Sequence, residues 1–303
     1  MRIEYPEFGA HRRPEGPRDP GDAWVITDEG ERYWGRYGAA GLLAYDRSRG
    51  VLLQHRVSWS HHGNTWGLPG GARHQGESAC DGALREAQEE AGVPDDAVRA
   101  RLESVLDLDV WTYTTLVGDV VEPFEPVISD PESRALEWVA LDEITGRPLH
   151  PGFADAWPRL RALLEVRPAV VVDAANVIGS VPDGWWRDRA GAAARLIERV
   201  SSLAVAGVDA SALDLAEQTW FPEFSVVVEG QAKAVDAAAD GVRIVRAAAS
   251  GDDAIVDEAR RLVESGRQVS VVTSDRELTD RSRALGAEVH GTRWLLDLLP
   301  AAP

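Results

Sequence analysis

Glu86, Glu89 and Glu90 stand at i, i+3 and i+4 in the run Arg85-Glu86-Ala87-Gln88-Glu89-Glu90-Ala91-Gly92. On a helix this spacing projects all three carboxylates from one side, where their like charges repel. A hard divalent cation such as Mg²⁺ (or Mn²⁺) takes oxygen ligands, keeps waters for a phosphate substrate and offsets that repulsion. Taken alone, the same pattern also describes a solvated acidic helix face. A glycine-rich run, Trp66-Gly67-Leu68-Pro69-Gly70-Gly71-Ala72, stands just upstream, with Glu77 between it and the helix. Nearby are His61 and His62, which as neighbours point apart on an extended chain, a geometry that argues against a shared metal. They and Trp66 are candidates for contact with substrate, although a Trp at a strand start more often packs.

A second set of acids lies in the C-terminal half. Val170 to Val172 runs into Asp173, with Asn176 beyond it, and Phe224 to Val228 ends in Glu229. Val242 to Val245 leads to Gly251-Asp252-Asp253, and Val269 to Thr273 ends in Ser274-Asp275. Sites in parallel sheets form outside the carboxyl ends of the strands. Acids converging there are what a two-metal phosphodiesterase site requires. Each acid by itself is as well explained as a helix N-cap.

The elements that must position these groups are partly legible. Gly38 to Tyr45 and Val51 to His55 form an expected hairpin around Asp46-Arg47-Ser48-Arg49-Gly50. Ser78 to Ala91 reads as a helix, with Ala79, Ala83, Leu84, Ala87 and Ala91 on one stripe, Ser78 and Asp81 as capping pair, and Gly92 as stop. Strands are expected at Val110 to Leu116 and Leu136 to Val139, and a short helix at Trp157 to Leu164. After Pro168 apolar strands alternate with helices at Trp186 to Ala204, Ala254 to Glu264, Arg276 to Leu285 and Thr292 to Leu299. That rhythm indicates a parallel sheet covered on both faces.

These observations divide the 303 residues into an irregular lead-in (1–36, Pro- and Gly-rich around Pro14-Glu15-Gly16-Pro17), a first domain (37–146), a linker with a short helix (147–167) and a second domain (168–303). The net charge of −18 argues against a general grip on nucleic-acid phosphates or an anionic membrane. Cys80 is the single cysteine, which excludes an intrachain disulfide and a multi-thiol zinc site. No charged-then-apolar leader and no membrane-length apolar run is present, so a cytoplasmic setting is expected.

Gly71, Glu77, Arg85-Glu86, Glu89-Glu90, Gly92 and Val93 match the Nudix box at every fixed position. Residues 36–146 therefore resemble a Nudix hydrolase of the MutT-like kind. The resemblance implies an α/β/α sandwich with a mixed sheet and hydrolysis of a nucleoside diphosphate linked to another group. It implies that Glu86, Glu89 and Glu90, with the Gly71 carbonyl, hold metal, and that Arg85 and Glu77 form an ion pair bracing the loop and helix. Glu86 is the first choice for general base; Glu137 resembles a downstream glutamate of MutT-like members, with Glu132 a second candidate. The expected substrate is a nucleoside triphosphate or its oxidised form, giving monophosphate and pyrophosphate; ADP-ribose and nucleotide sugars are alternatives.

Asp173-Ala174-Ala175-Asn176, Gly251-Asp252-Asp253 and Thr273-Ser274-Asp275 resemble the spaced motifs of PIN-like nucleases of the NYN/YacP-like branch. This implies a three-layer α/β/α domain in which Asp173, Asp253 and Asp275 carry metal, assisted by Asn176 and Asp252, and act on RNA. Trp185-Trp186-Arg187-Asp188-Arg189 offers rings and guanidinium groups that stack on bases or pack. The rival to a hydrolase is an RNA-cleaving or RNA-binding protein whose first domain senses nucleotide. The oligomeric state is not encoded.

Overall fold

A computed structural model of the chain describes residues 1–6, 19–182, 184–235 and 241–300. Pro14-Glu15-Gly16-Pro17 lies outside them. The chain forms two compact units, Met1–Leu163 and Leu164–Pro303.

The first unit contains strands β1 (Arg2–Glu4), β2 (Trp24–Ile26), β3 (Arg32–Trp34), β4 (Ala39–Asp46), β5 (Gly50–Arg56), β6 (Trp66–Gly67) and β7 (Gly70–Ala72). Helix α1 (Ala79–Ala91), strands β8 (Val98–Asp107), β9 (Thr112–Val120) and β10 (Ser133–Val139), and helix α2 (Pro151–Leu163) follow. β10, β5, β4, β9 and β8 lie side by side. β4 and β9 are parallel and the other pairs antiparallel, so the sheet is mixed. β6 adds to β5 and β7 to β4.

Helix α1 begins where the sequence places it. The Ser78 hydroxyl accepts the Asp81 N–H at 3.0 Å, and Gly92 closes the helix at φ 63°. Ala83, Ala87 and Ala91 are fully buried along the face that packs on β4 and β7. The β7–β4 pairing is tight: a Cβ on Gly70 would lie 2.5 Å from the Ala40 carbonyl oxygen.

Two parts of the sequence reading are corrected here. The lead-in is not uniformly irregular, because β1, β2 and β3 pair as an antiparallel sheet. The short helix expected in the 147–167 linker is present as the longer α2, but its Phe153, Trp157, Leu160 and Leu163 are buried within the first unit, so this stretch belongs to that unit. The first residue of α2, Pro151, suits a helix start, where no N–H is needed.

The second unit contains β11 (Pro168–Asp173), α3 (Ala174–Gly179), α4 (Arg189–Ala206), the short antiparallel pair β12 (Val208–Asp209) and β13 (Thr219–Trp220), β14 (Glu223–Val228) and β15 (Val242–Arg246). Then come α5 (Gly251–Glu264), β16 (Gln268–Val272), α6 (Arg276–Ala284), β17 (Glu288–His290) and α7 (Thr292–Leu298). A parallel five-stranded sheet runs β15-β14-β11-β16-β17. Ala169 to Val172 are at most 1% exposed, so both faces of β11 are covered and the strand is apolar throughout. The strand order reverses between β11 and β16, the place where such sheets open a crevice. Among the described residues no helix is long and apolar enough to cross a membrane.

Candidate functional site

The α1 carboxylates differ in setting. Glu86 and Glu90 are each 6% exposed, sharing the inward side with the alanine stripe, while Glu89 is half-exposed. Glu90 Oε2 accepts the Gly70 N–H at 2.9 Å. Burial and then Glu86 and Asp130 raise the Glu90 pKa well above the usual carboxylate range. A Cβ on Gly71 would fall 2.6 Å from the Glu86 carboxyl, so only glycine admits that close approach.

Arg85 braces the loop against the helix. Its Nε and one terminal nitrogen donate to the two Glu77 oxygens at 2.8 and 3.0 Å, and that nitrogen also reaches the Ala72 carbonyl at 2.9 Å. The other donates to Glu86 at 2.7 Å and lies 3.5 Å from Glu89. Burial alone would raise the Glu77 pKa, but the Arg85 and His74 N–H bonds outweigh it and hold the carboxyl ionised. The expected ion pair is therefore a bidentate one.

The three glutamates line a cavity of about 740 Å³ in the first unit, the size of a small-ligand pocket. Opposite chemistry comes from residues that no local motif announced. Tyr33 stacks on Trp111 at 4.9 Å and 20°, Trp111 Nε1 donates to the Trp34 carbonyl at 3.0 Å, and all three rings line the cavity. Tyr113, half-buried with its hydroxyl pKa pushed up to about 12 chiefly by desolvation, also lines it. Arg56 lines it with a buried Nε that has no hydrogen-bond partner. Asp130 and Glu132 are there too. Only distance in the fold, not in the sequence, groups these residues.

Other expected residues fall elsewhere. Glu137 does not line the cavity; it is half-exposed and pairs with Arg147 at 2.8 Å. Trp66 is buried, stacked on His55 at 4.7 Å with Arg147 over its ring at 4.4 Å, a packing role. His62 does line the cavity, as do His61 and His150. Burial, with Arg56 and the two other imidazoles, lowers the His150 pKa to about 4. The Cys80 thiol, pushed up to about 12 by burial, is a packed group.

In the second unit the acids do gather at the strand ends. Asp173 accepts the Asn176 N–H at 3.0 Å and the Thr273 hydroxyl at 2.9 Å, and Asn176 accepts the Ser274 N–H at 3.0 Å, which ties the ends of β11 and β16 together. Burial, then Asp252 and Glu229, raise the Asp173 pKa. Burial, then Asp275 and Glu229, raise that of Asp252. Asp253, expected as a metal ligand, instead pairs with Arg281 at 2.6 Å and stays exposed, so Asp252 is the member of the pair that faces the other acids. Asp275 caps α6 at Leu278, and Glu229 accepts the Gly251 N–H. Trp186 is exposed, while Arg189 lies 5.3 Å over the Trp185 ring.

Comparison with known proteins places the first unit. Residues 35–163 match the NUDIX domain family model. The protein named "Putative 8-oxo-dGTP diphosphatase 3" of Mycobacterium tuberculosis is 49% identical over 157 residues, spanning 48% of this chain and 72% of that protein. A "Nucleoside triphosphate pyrophosphatase/Nudix hydrolase fusion protein" of Bifidobacterium longum is 38% identical over 162 residues, 50% of this chain and 33% of that protein. The crystal structure of a Nudix hydrolase from M. smegmatis, RenU, is 45% identical over 48% of this chain and 95% of that one, with a TM-score of 0.44.

Proposed function

The chain belongs to the Nudix hydrolase family and is a hydrolase acting on phosphorus-containing anhydrides; we propose that its substrate is a purine nucleoside triphosphate, cleaved to monophosphate and pyrophosphate. The observation that carries this reading is a single cavity in which three acids (Glu86, Glu89, Glu90), a guanidinium (Arg56) and an aromatic wall (Tyr33, Trp34, Trp111) meet. The rings offer π faces to a base. The buried, unsatisfied Nε of Arg56 is a donor for a phosphate oxygen. The 8-oxo-dGTP activity named for the M. tuberculosis relative makes the oxidised purine the first substrate to try.

The donor set fits a divalent cation. Carboxylates buried together at Glu86 and Glu90, and a glycine whose missing Cβ leaves room against Glu86, make an oxygen-rich set whose acids outnumber the Arg85 guanidinium that pairs with Glu86 and Glu89. Glu86, Glu89, Glu90 and the Gly71 carbonyl would hold Mg²⁺ or Mn²⁺, which keeps several of its own waters and needs few protein ligands. Such an ion neutralises phosphate charge and lowers the pKa of bound water. Glu86, held in place by Arg85, would be the residue that accepts the proton of an attacking water. Arg85 positions Glu86 and Glu89, and Arg56 binds the polyphosphate. A panel of nucleoside triphosphates, their oxidised forms and ADP-ribose, assayed for pyrophosphate against orthophosphate, tests the proposal. Pyrophosphate from a purine triphosphate is expected, and turnover of ADP-ribose alone would contradict it.

A second reading covers the other unit. Asp173 and Asp275 at the adjoining ends of β11 and β16, tied by Thr273 and Asn176, with Asp252 at the start of α5 under the influence of Asp275, support a PIN-like, metal-dependent ribonuclease site. Cleavage of single-stranded RNA that Asp173→Asn removes would establish it. RNA left intact with Mn²⁺ present would make this unit an interaction module.

A further inference from the structure

Beside the carboxylates, the cavity wall carries three imidazoles. His61 and His62 lie in the turn between β5 and β6, and His150 immediately precedes α2. On an extended chain His61 and His62 would diverge, and this expectation is overturned because the chain is not extended there. His62 takes a left-handed backbone conformation at φ 53°, as does Asn64 at φ 59°, a region that residues other than glycine seldom enter. The Gly63 N–H closes the turn on the Ser60 carbonyl at 2.9 Å. The His61 and His62 ring centroids consequently lie 4.1 Å apart at 62°. His150 is anchored independently: its N–H donates to the Trp66 carbonyl, and the Trp66 N–H to the Pro148 carbonyl, both at 2.8 Å. Its ring lies 4.8 Å from that of His62 at 85°.

One ring nitrogen from each histidine lies within 4.8 Å of the other two. Among the described residues this is the only set of three His, Cys, Asp or Glu side chains gathered so closely. We propose that His61, His62 and His150 form a binding site for one borderline transition-metal dication, Zn²⁺ foremost, distinct from the carboxylate site. Imidazole nitrogen suits Zn²⁺, Cu²⁺ or Ni²⁺, whereas Mg²⁺ prefers oxygen, so the two sites sort metals by donor type. Three protein ligands leave one position of a tetrahedral zinc open. Because all three rings line the same cavity as Glu86, Glu89 and Glu90, that position is open to water or to an oxyanion of a molecule bound there.

The test is a metal titration of the full chain in excess Mg²⁺, with Co²⁺ as visible reporter and Zn²⁺ as competitor. One equivalent of Co²⁺ is expected to bind with the intense absorption of four-coordinate, nitrogen-ligated cobalt and to be displaced by Zn²⁺. His61→Gln and His150→Gln should each weaken binding by at least the roughly 10- to 100-fold that loss of an outer partner alone costs, and Glu89→Gln should leave it intact. His61 is exposed, so His61→Gln reports on the site even where His150→Gln unsettles the fold. Absence of stoichiometric binding overturns the proposal. Binding that persists in both histidine variants, or is lost in Glu89→Gln, overturns it as well.

Discussion

The α1 acids of the first unit and the strand-end acids of the second differ in what else explains them. Asp173, Glu229 and Asp275 each accept a backbone N–H at or near a helix start, a job that any N-cap acid performs. Glu86 and Glu90 sit in the body of a helix whose cap is Ser78; Glu90 accepts the Gly70 N–H and Glu86 an N–H of the Arg85 guanidinium, but neither caps a helix. Burying them beside each other still leaves the Glu90 pKa raised well above the usual carboxylate range, a cost that these two hydrogen bonds do not remove. An acid with a capping role is weak evidence of chemistry; two buried acids without one are strong evidence.

The largest expected effect is on turnover. Glu86→Gln should lower kcat on the order of a thousandfold, within the range for a lost general base, with the fold retained by circular dichroism; Asp173→Asn should leave nucleotide turnover unchanged. An Asp173→Asn loss as deep as that of Glu86→Gln would erase the distinction between the units. Next, Gly71→Ala puts a Cβ against the Glu86 carboxyl, and a displacement of that size should cost about a hundredfold in kcat while circular dichroism stays native.

Arg85→Lys keeps the charge and loses the fork to Glu77. Because the pair is largely buried, chemical denaturation should show a loss of about 2–3 kcal/mol. The smallest effect is in the β4–β5 turn. Burial opposes ionisation of Asp46, but hydrogen bonds from Ser48 and Arg49 outweigh it and lower its pKa from 3.8 to about 2. A lowered folded-state pKa adds stability above the unfolded value, and that stability disappears as pH falls from about 4 toward 2. Asp46→Asn should thus cost about 1 kcal/mol at pH 7 and little near pH 2.

What was legible in the sequence is what repeats locally. The α1 spacing, its Ser78 cap and the apolar strand Val170 to Val172 depend on a few neighbouring residues. β8 was missed because a bulge between Ala100 and Leu102 shifts its register and buries Arg101 beside Asp119, 3.3 Å away, which breaks the alternation that marks a strand. The aromatic wall was missed because Tyr33 and Trp111 meet only through the fold. The PIN-like resemblance puts Asp253 ahead of Asp252, and the phase of α5, which turns Asp252 toward the other acids, is not readable from a short motif because one residue rotates a side chain by about 100°. That His61 and His62 converge depends on the left-handed His62 and Asn64 that fold their turn, which an extended-chain reading does not anticipate.

The central claim is that anhydride hydrolysis belongs to the α1 acids alone. It is tested most directly by pyrophosphate release from 8-oxo-dGTP, or the best substrate of the panel, in the full chain with Mg²⁺. Glu89→Gln with Glu90→Gln is predicted to abolish it, and Asp173→Asn with Asp275→Asn to leave it at the wild-type rate. Unchanged turnover in the first double variant, or its loss in the second, would contradict the account.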